Sequence, residues 1–227
     1  MAKILSVVSR AGLARILDPI AQTALRAGIS PNAVTIAGTI GVLIGAIGFG
    51  ARGSIIAAVI IVTISAFTDL VDGAMARALG RNGRFGALLD STMDRVADAA
   101  IFGALTYWFA TTGHPRAAVA ALLCLATGQV VSYVKARAEG LGFTCNVGLA
   151  ERAERLILVG VGAVLHLLSV PHGFEVVLWL LAALSLVTIG QRMRHVYRCD
   201  QAACRERAAA DAGQIVAEAG RTGGGRR

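Results

Sequence analysis

Residues 55–94 read IIAAVIIVTISAFTDLVDGAMARALGRNGRFGALLDSTMD. An uncharged run, Ile55 to Thr68, ends in Asp69 and Asp72, and Asp90 and Asp94 follow before a second apolar run from Ala99 to Ala110. Carboxylates beside a bilayer are costly unless they pair, bind a cation or line a wet cavity. Residues three or four apart share a helix face, so Asp69 and Asp72 point one way from one helix, and Asp90 and Asp94 one way from the next. The Gly-Arg-Asn-Gly segment at 80–83 is poor helix and good turn. If the two helices pair antiparallel, the four carboxylates converge. Such an oxygen-rich, net-negative pocket suits Mg²⁺ or Mn²⁺ and not zinc. Two ions would balance four carboxylates, the arrangement that clamps phosphoryl oxygens for in-line displacement. Gly73, Ala76 and Gly86 keep the same face small, so a flat or bulky ligand can approach the backbone. Ordinary salt bridges from Arg77, Arg81, Arg84 and Arg95 to two charged helix ends would not explain those small residues.

Composition points the same way. Of 227 residues, 56% are hydrophobic and 16% charged, against roughly 25% charged in a soluble domain. Nearly uncharged runs fall at about 33–51, 53–68, 99–113, 117–134, 156–171 and 173–191. Several are shorter than the ~20 residues that span a bilayer. Three extend into polar neighbours, predicting long helices over 53–79, 86–112 and 117–139 whose inner ends stand in a water-filled cavity. The expected fold is all-α, a polytopic membrane protein with six transmembrane helices. An N-terminal amphipathic helix carrying Leu5, Val8, Leu13, Ile16, Leu17 and Ile20 is expected to lie in the interface, with Arg10 and Arg15 toward anionic lipid. Charges at Arg10, Arg15, Asp18 and Arg26 interrupt the apolar core that a secretory signal needs. Ser30 and Pro31 read as the N-cap and first residue of the first spanning helix. Residues 1–198 form the expected membrane domain, and 199–227 a basic, partly disordered cytoplasmic tail.

Twenty of the 22 Lys and Arg residues fall on one side of this layout, Arg52 and Arg116 being the exceptions. The positive-inside rule assigns that side, both termini and the aspartate site to the cytoplasm of a cell membrane. Topology and attraction to anionic lipid account for the formal +8 charge, so no nucleic-acid partner is expected. The cysteines show no zinc-ribbon spacing, and Cys199 and Cys204 have only His195 nearby.

The pattern Asp-x2-Asp-Gly-x2-Ala-Arg-x8-Gly-x3-Asp-x3-Asp, from Asp69 to Asp94, resembles the signature of the CDP-alcohol phosphatidyltransferases, with every fixed position filled. With the hydrophobic layout, the resemblance covers about residues 1–198. It implies transfer of a phosphatidyl group from CDP-diacylglycerol to an alcohol with release of CMP, and a homodimer through membrane helices. Gly41, Gly45 and Gly48 are small enough to permit close packing there. It also implies that Pro31, Asn32 and Thr35 help form the nucleotide site. In the expected mechanism Asp69, Asp72, Asp90 and Asp94 hold two Mg²⁺ or Mn²⁺ ions, and Arg77 assists with phosphate charge. Gly73, Ala76 and Gly86 admit the cytidine, and Asp94 is the general base.

A second cluster bears on the acceptor. Lys135 and Arg137 close the fourth expected helix, Arg152 and Arg155 open the fifth, and Arg192 and Arg194 close the sixth. Arg offers a bidentate fork and Lys a point charge to a phosphate; a neutral alcohol would need neither. The segments Ser132–Glu139, Glu151–Leu156 and Gln191–Arg192 are similar to the actinobacterial phosphatidylinositol phosphate synthase branch, whose acceptor is inositol 1-phosphate. That similarity implies phosphate contacts from Ser132, Lys135, Arg155 and Arg192, with Arg194 the competing choice at the last position. The rival branch is phosphatidylglycerophosphate synthase, which uses glycerol 3-phosphate. A reading from a different class is an ion or phosphate transporter, since intramembrane carboxylates also mark ion paths. Transport would need access from both faces, and the outer halves of these helices offer almost no polar path.

Overall fold

The structure is a computed structural model that describes residues 17–79 and 83–223, the stretch 203–223 by its backbone alone. The described residues contain no strand. A short helix, α1 (residues 17–26), precedes six longer ones. These are α2 (Pro31–Leu43), α3 (Ile55–Ala78), α4 (Arg84–Thr111), α5 (Pro115–Gly140), α6 (Arg152–Leu167) and α7 (Gly173–Gly223). A π-helical turn, Ile44–Phe49, and a 3-10 turn, Gly50–Arg52, prolong α2. The helices expected over 53–79, 86–112 and 117–139 lie within two residues of α3, α4 and α5. Ser30 caps α2 by accepting a hydrogen bond from Ala33 N at 3.2 Å, with Pro31 at the first position.

Pro31–Arg52, Ile55–Ala78, Pro115–Gly140 and Gly173–Ala202 are long and apolar enough to cross a membrane. The other two long helices miss that description for different reasons. α4 has 28 residues but carries Arg84, Asp90, Asp94, Arg95 and Asp98, and α6 has only 16 residues. On α3, Ile56, Ile60, Ile64 and Phe67 face outward, a stripe that a water-soluble surface does not present. The chain is an all-α protein integral to a membrane.

The core joins Phe102, Trp108 and Phe109 of α4 to Leu178 and Leu181 of α7, across the small residues Ala117, Ala120 and Ala121 of α5. Small side chains let helix backbones approach where burial against lipid gives no driving force. The same logic governs α2 and α3. A Cβ at Gly41 would collide with the Ser65 hydroxyl, and one at Gly45 would crowd Ile61 and Val62. These two glycines therefore serve a contact within the chain, while Gly48 has only Ile44 of its own helix nearby.

Residues 1–16, with Leu5, Val8, Arg10, Leu13, Arg15 and Ile16 of the expected interfacial helix, lie outside the described residues, as do 80–82 of the expected turn and 224–227. In α1, Leu17 and Ala21 are buried against Ala74 and Met75 of α3, so this part of the apolar face rests on protein. The helix α7 runs on to Gly223, with no break at residue 198.

Candidate active site

The aspartates come together, though not through the helix pair that the spacing suggests. Helices α3 and α4 follow each other in sequence, yet they barely touch: α3 packs chiefly on α2, and α4 on α5 and then α2. Four like charges and a face of small residues leave little to hold the two helices directly together, and α2 fills the wedge. Its Thr35 Oγ1 donates to Asp72 Oδ2 at 2.5 Å, and both residues are buried. Asn32 Oδ1 stands 3.5 Å from where a side chain at residue 86 would begin, so Gly86 of α4 abuts the start of α2. The Pro31, Asn32 and Thr35 segment is thereby set against the aspartate motif.

The remaining carboxylates are tied by cations. Arg152, the first residue of α6, places Nη1 2.7 Å from Asp69 Oδ2 and 2.6 Å from Asp94 Oδ1. Arg95 Nη2 lies 3.6 Å from Asp94 Oδ2. Asp90 is exposed and has no ion pair among the described residues. Gly73 and Ala76 continue the same face of α3, and the Arg77 guanidinium lies beside Gly73.

One carboxylate was not foreseen. Asp98 is buried and pairs with Arg155, itself 1% exposed. Its sequence signal is simple: Asp90, Asp94 and Asp98 recur every fourth residue and so share one face of α4.

The donor set suits a hard divalent ion, being carboxylate oxygen throughout. Among the described residues no three His, Cys, Asp or Glu side chains form a metal-holding group as they stand. A guanidinium nitrogen bridges Asp69 and Asp94. A cation already sits between these two carboxylates, so the site fits a metal once Arg152 gives way.

Beside the aspartates lies a cavity of about 280 Å³. Asp94 and Arg95 line it from α4, and Ser132 and Lys135 from α5. Glu151, Arg152 and Arg155 line it at the start of α6, and Arg192 from α7. Of the basic residues singled out in the sequence, Lys135, Arg152, Arg155 and Arg192 converge here. Arg137 and Arg194 do not line the cavity and are exposed.

Residues 28–190 match the family model of the CDP-alcohol phosphatidyltransferases. The chain belongs to that family. The phosphatidylinositol phosphate synthase of Streptomyces avermitilis is 48% identical over 219 residues, covering 92% of this chain and 89% of that one. That of Mycobacteroides abscessus is 44% identical, covering 93% and 97%. Among solved structures, the Mycobacterium tuberculosis phosphatidylinositol phosphate synthase with CDP-DAG bound is 42% identical and superposes with a TM-score of 0.76, covering 81% of this chain and 94% of that one. The same synthase in complex with manganese and citrate gives 0.75 at 41% identity, covering 80% and 88%. The transporter reading gives way to an enzyme of phospholipid synthesis.

In this transferase the basic side of the cavity is held from below by α7. Thr188 Oγ1 accepts hydrogen bonds from Leu149 N at 3.1 Å and Ala150 N at 3.0 Å. Arg192 donates from Nε to Val147 O, from Nη1 to Val131 O and from Nη2 to Glu151 Oε1, at 2.8, 2.7 and 2.8 Å. Gly148 adopts φ 143°, and a Cβ there would collide with Thr188. The segment that delivers Arg152 and Arg155 is thus clamped at Val147, Leu149, Ala150 and Glu151. All three Arg192 nitrogens are committed, which makes this residue a frame for the cavity as well as part of its wall. Lys135, by contrast, has no ion pair among the described residues.

Proposed function

We propose that the enzyme transfers the phosphatidyl group of CDP-diacylglycerol to inositol 1-phosphate, releasing CMP and leaving phosphatidylinositol phosphate in the membrane. The observation that carries this reading is the cation-lined cavity that shares Asp94 with the aspartate motif. A donor site and a phosphate-accepting site then meet at one carboxylate. Relatives named phosphatidylinositol phosphate synthase at 43–48% identity support the choice of acceptor.

The donor headgroup lies over the small face of Gly73, Ala76 and Gly86, with Pro31, Asn32 and Thr35 at its edge and Arg77 toward its phosphates. Thr35 holds Asp72 in one rotamer by its hydrogen bond. Asp69, Asp72, Asp90 and Asp94 would hold Mg²⁺ or Mn²⁺, two ions by charge balance, neutralising the pyrophosphate oxygens as phosphoryl transfer requires. Lys135, Arg155, Ser132 and the wall formed by Arg192 hold the acceptor phosphate, so that a ring hydroxyl faces the β-phosphorus of the donor. Asp94, common to both halves, takes the hydroxyl proton. The hydroxyl oxygen bonds to the β-phosphorus as the bond to the CMP oxygen breaks. Catalysis is then mainly positioning and charge neutralisation.

The same reading gives α2 to α7 as six spans, with both termini and the site in the cytoplasm, where CMP can leave. It makes α1 the end of an interfacial helix, residues 199–227 a cytoplasmic extension, and the working unit a homodimer.

The test is CMP release from CDP-diacylglycerol by purified protein with Mg²⁺, offered inositol 1-phosphate, inositol or glycerol 3-phosphate separately. Release with inositol 1-phosphate alone is expected. Release with glycerol 3-phosphate instead would keep the aspartate chemistry and overturn the acceptor.

A further inference from the structure

Arg152 is absent from the aspartate signature, yet it is the residue that occupies the centre of the site. One of its nitrogens bridges Asp69 and Asp94 at 2.7 and 2.6 Å, where a divalent ion would otherwise draw the two carboxylates together. The same side chain lines the acceptor cavity. A second observation concerns its other end. Arg152 Nε is buried with no hydrogen-bond acceptor, and Asp98 Oδ1 is buried with no donor. These two atoms face each other 3.9 Å apart, beyond hydrogen-bond reach. A buried donor and a buried acceptor left open side by side are costly, and here they mark a second set of partners one short movement away.

We propose that Arg152 is a displaceable counterion that couples metal binding to acceptor binding. Without metal it neutralises Asp69 and Asp94. An incoming divalent ion takes those carboxylates, and Arg152 shifts to Asp98 with its charge freed toward the acceptor phosphate beside Lys135 and Arg155. No covalent step is involved, and the coupling runs both ways: metal tightens the phosphate site, and a bound phosphate, by drawing Arg152 away, tightens the metal site. The device also spares the metal-free protein a set of uncompensated carboxylates at the membrane. The phosphate half of the proposal rests on the acceptor assignment made above; the metal half does not.

Two readouts, neither of them turnover, test it in purified full-length protein. The first is Mn²⁺ binding, followed by the electron paramagnetic resonance signal of free Mn²⁺, for wild type, Arg152→Gln and Arg95→Gln. Arg152→Gln is expected to bind Mn²⁺ roughly tenfold more tightly than wild type, a coupling of ordinary size. Arg95→Gln, which removes an equal charge 3.6 Å from Asp94, is expected to change it much less. Unchanged or weaker Mn²⁺ binding in Arg152→Gln would overturn the proposal. So would equal tightening in both variants, which would mean bulk charge and not displacement. If Arg152→Gln does not fold, Arg152→Lys takes its place: its ammonium ends about one bond short of the Nη1 that bridges the two carboxylates, so tighter Mn²⁺ binding is again expected and unchanged binding overturns. The second readout is inositol 1-phosphate binding by calorimetry with and without Mn²⁺. Wild type should bind it several-fold more tightly with metal, and the variant should lose that dependence. Metal-independent binding by wild type would remove the coupling, whereas no binding at all would count against the acceptor and leave the Mn²⁺ result to judge the displacement.

Discussion

The two walls of the site are built in opposite ways. The acidic wall comes from one 26-residue stretch on α3 and α4, and its charges are set by helical spacing. The basic wall comes from three segments far apart in sequence, at Lys135, at Arg152 and Arg155, and at Arg192, and is set by how α5, α6 and α7 pack. Like charges repel within each wall, so each needs the other for neutralisation, and they join at Arg152 with Asp69 and Asp94, and at Arg155 with Asp98. On the proposed reading, the contrast teaches that the reactive half is local and the selective half is tertiary. Acceptor choice can therefore differ between enzymes whose aspartate motifs are the same.

If the acidic wall does the chemistry, removing its metal should have the largest effect. Excess EDTA is expected to abolish CMP release and added Mg²⁺ or Mn²⁺ to restore it; full activity in EDTA would break the comparison. Asp94→Asn should lower kcat on the order of 10³-fold, as loss of a general base does, while CDP-diacylglycerol binding stays measurable. Unchanged turnover would remove Asp94 from the base role. On the basic wall, Lys135→Gln should raise KM for the phosphorylated acceptor about tenfold, the worth of one charged hydrogen bond, with KM for the lipid donor unmoved. Equal effects on both substrates would dissolve the division into walls. Arg192→Gln should chiefly cost thermal stability, since it frees Val147, Val131 and Glu151 together; a purely kinetic effect would show that its clamp is unimportant. Thr35→Val should be mildest, about 1 kcal/mol from one hydrogen bond to Asp72, read as a few-fold loss of kcat/KM.

The same contrast explains what the sequence could convey. Periodicity and hydrophobicity located α3, α4 and α5 within two residues, because a spanning helix is specified by its own stretch of chain. The aspartate face was legible for the same reason. That α2 would wedge between α3 and α4 was not, because packing of Thr35 on Asp72 depends on residues 37 positions apart. Nor was it visible which cations would turn inward. Arg192 and Arg194 are alike in sequence, and only the Val147–Glu151 segment, lying over one of them, distinguishes the buried residue from the exposed one. Asp98 went unnoticed because it falls outside the signature, although the four-residue rhythm from Asp90 reaches it. Nor does the sequence show that Gly41 and Gly45 fit α2 and its π-helical turn to Ser65, Ile61 and Val62 of α3.

The clamp of α7 on residues 147–151 has a meaning for anyone wishing to redesign this enzyme. Thr188 and Arg192 grip that segment mostly through backbone amides and carbonyls. Its frame is therefore largely indifferent to the side chains at 147 and 149, which can be varied while the path of the chain is kept, whereas Ala150 is buried in the core and must stay small. Thr188, Arg192 and Gly148 are the fixed tooling, to be left alone in any library, and on the proposed reading Ser132, Lys135 and Arg155 are the positions at which a new acceptor would be written in.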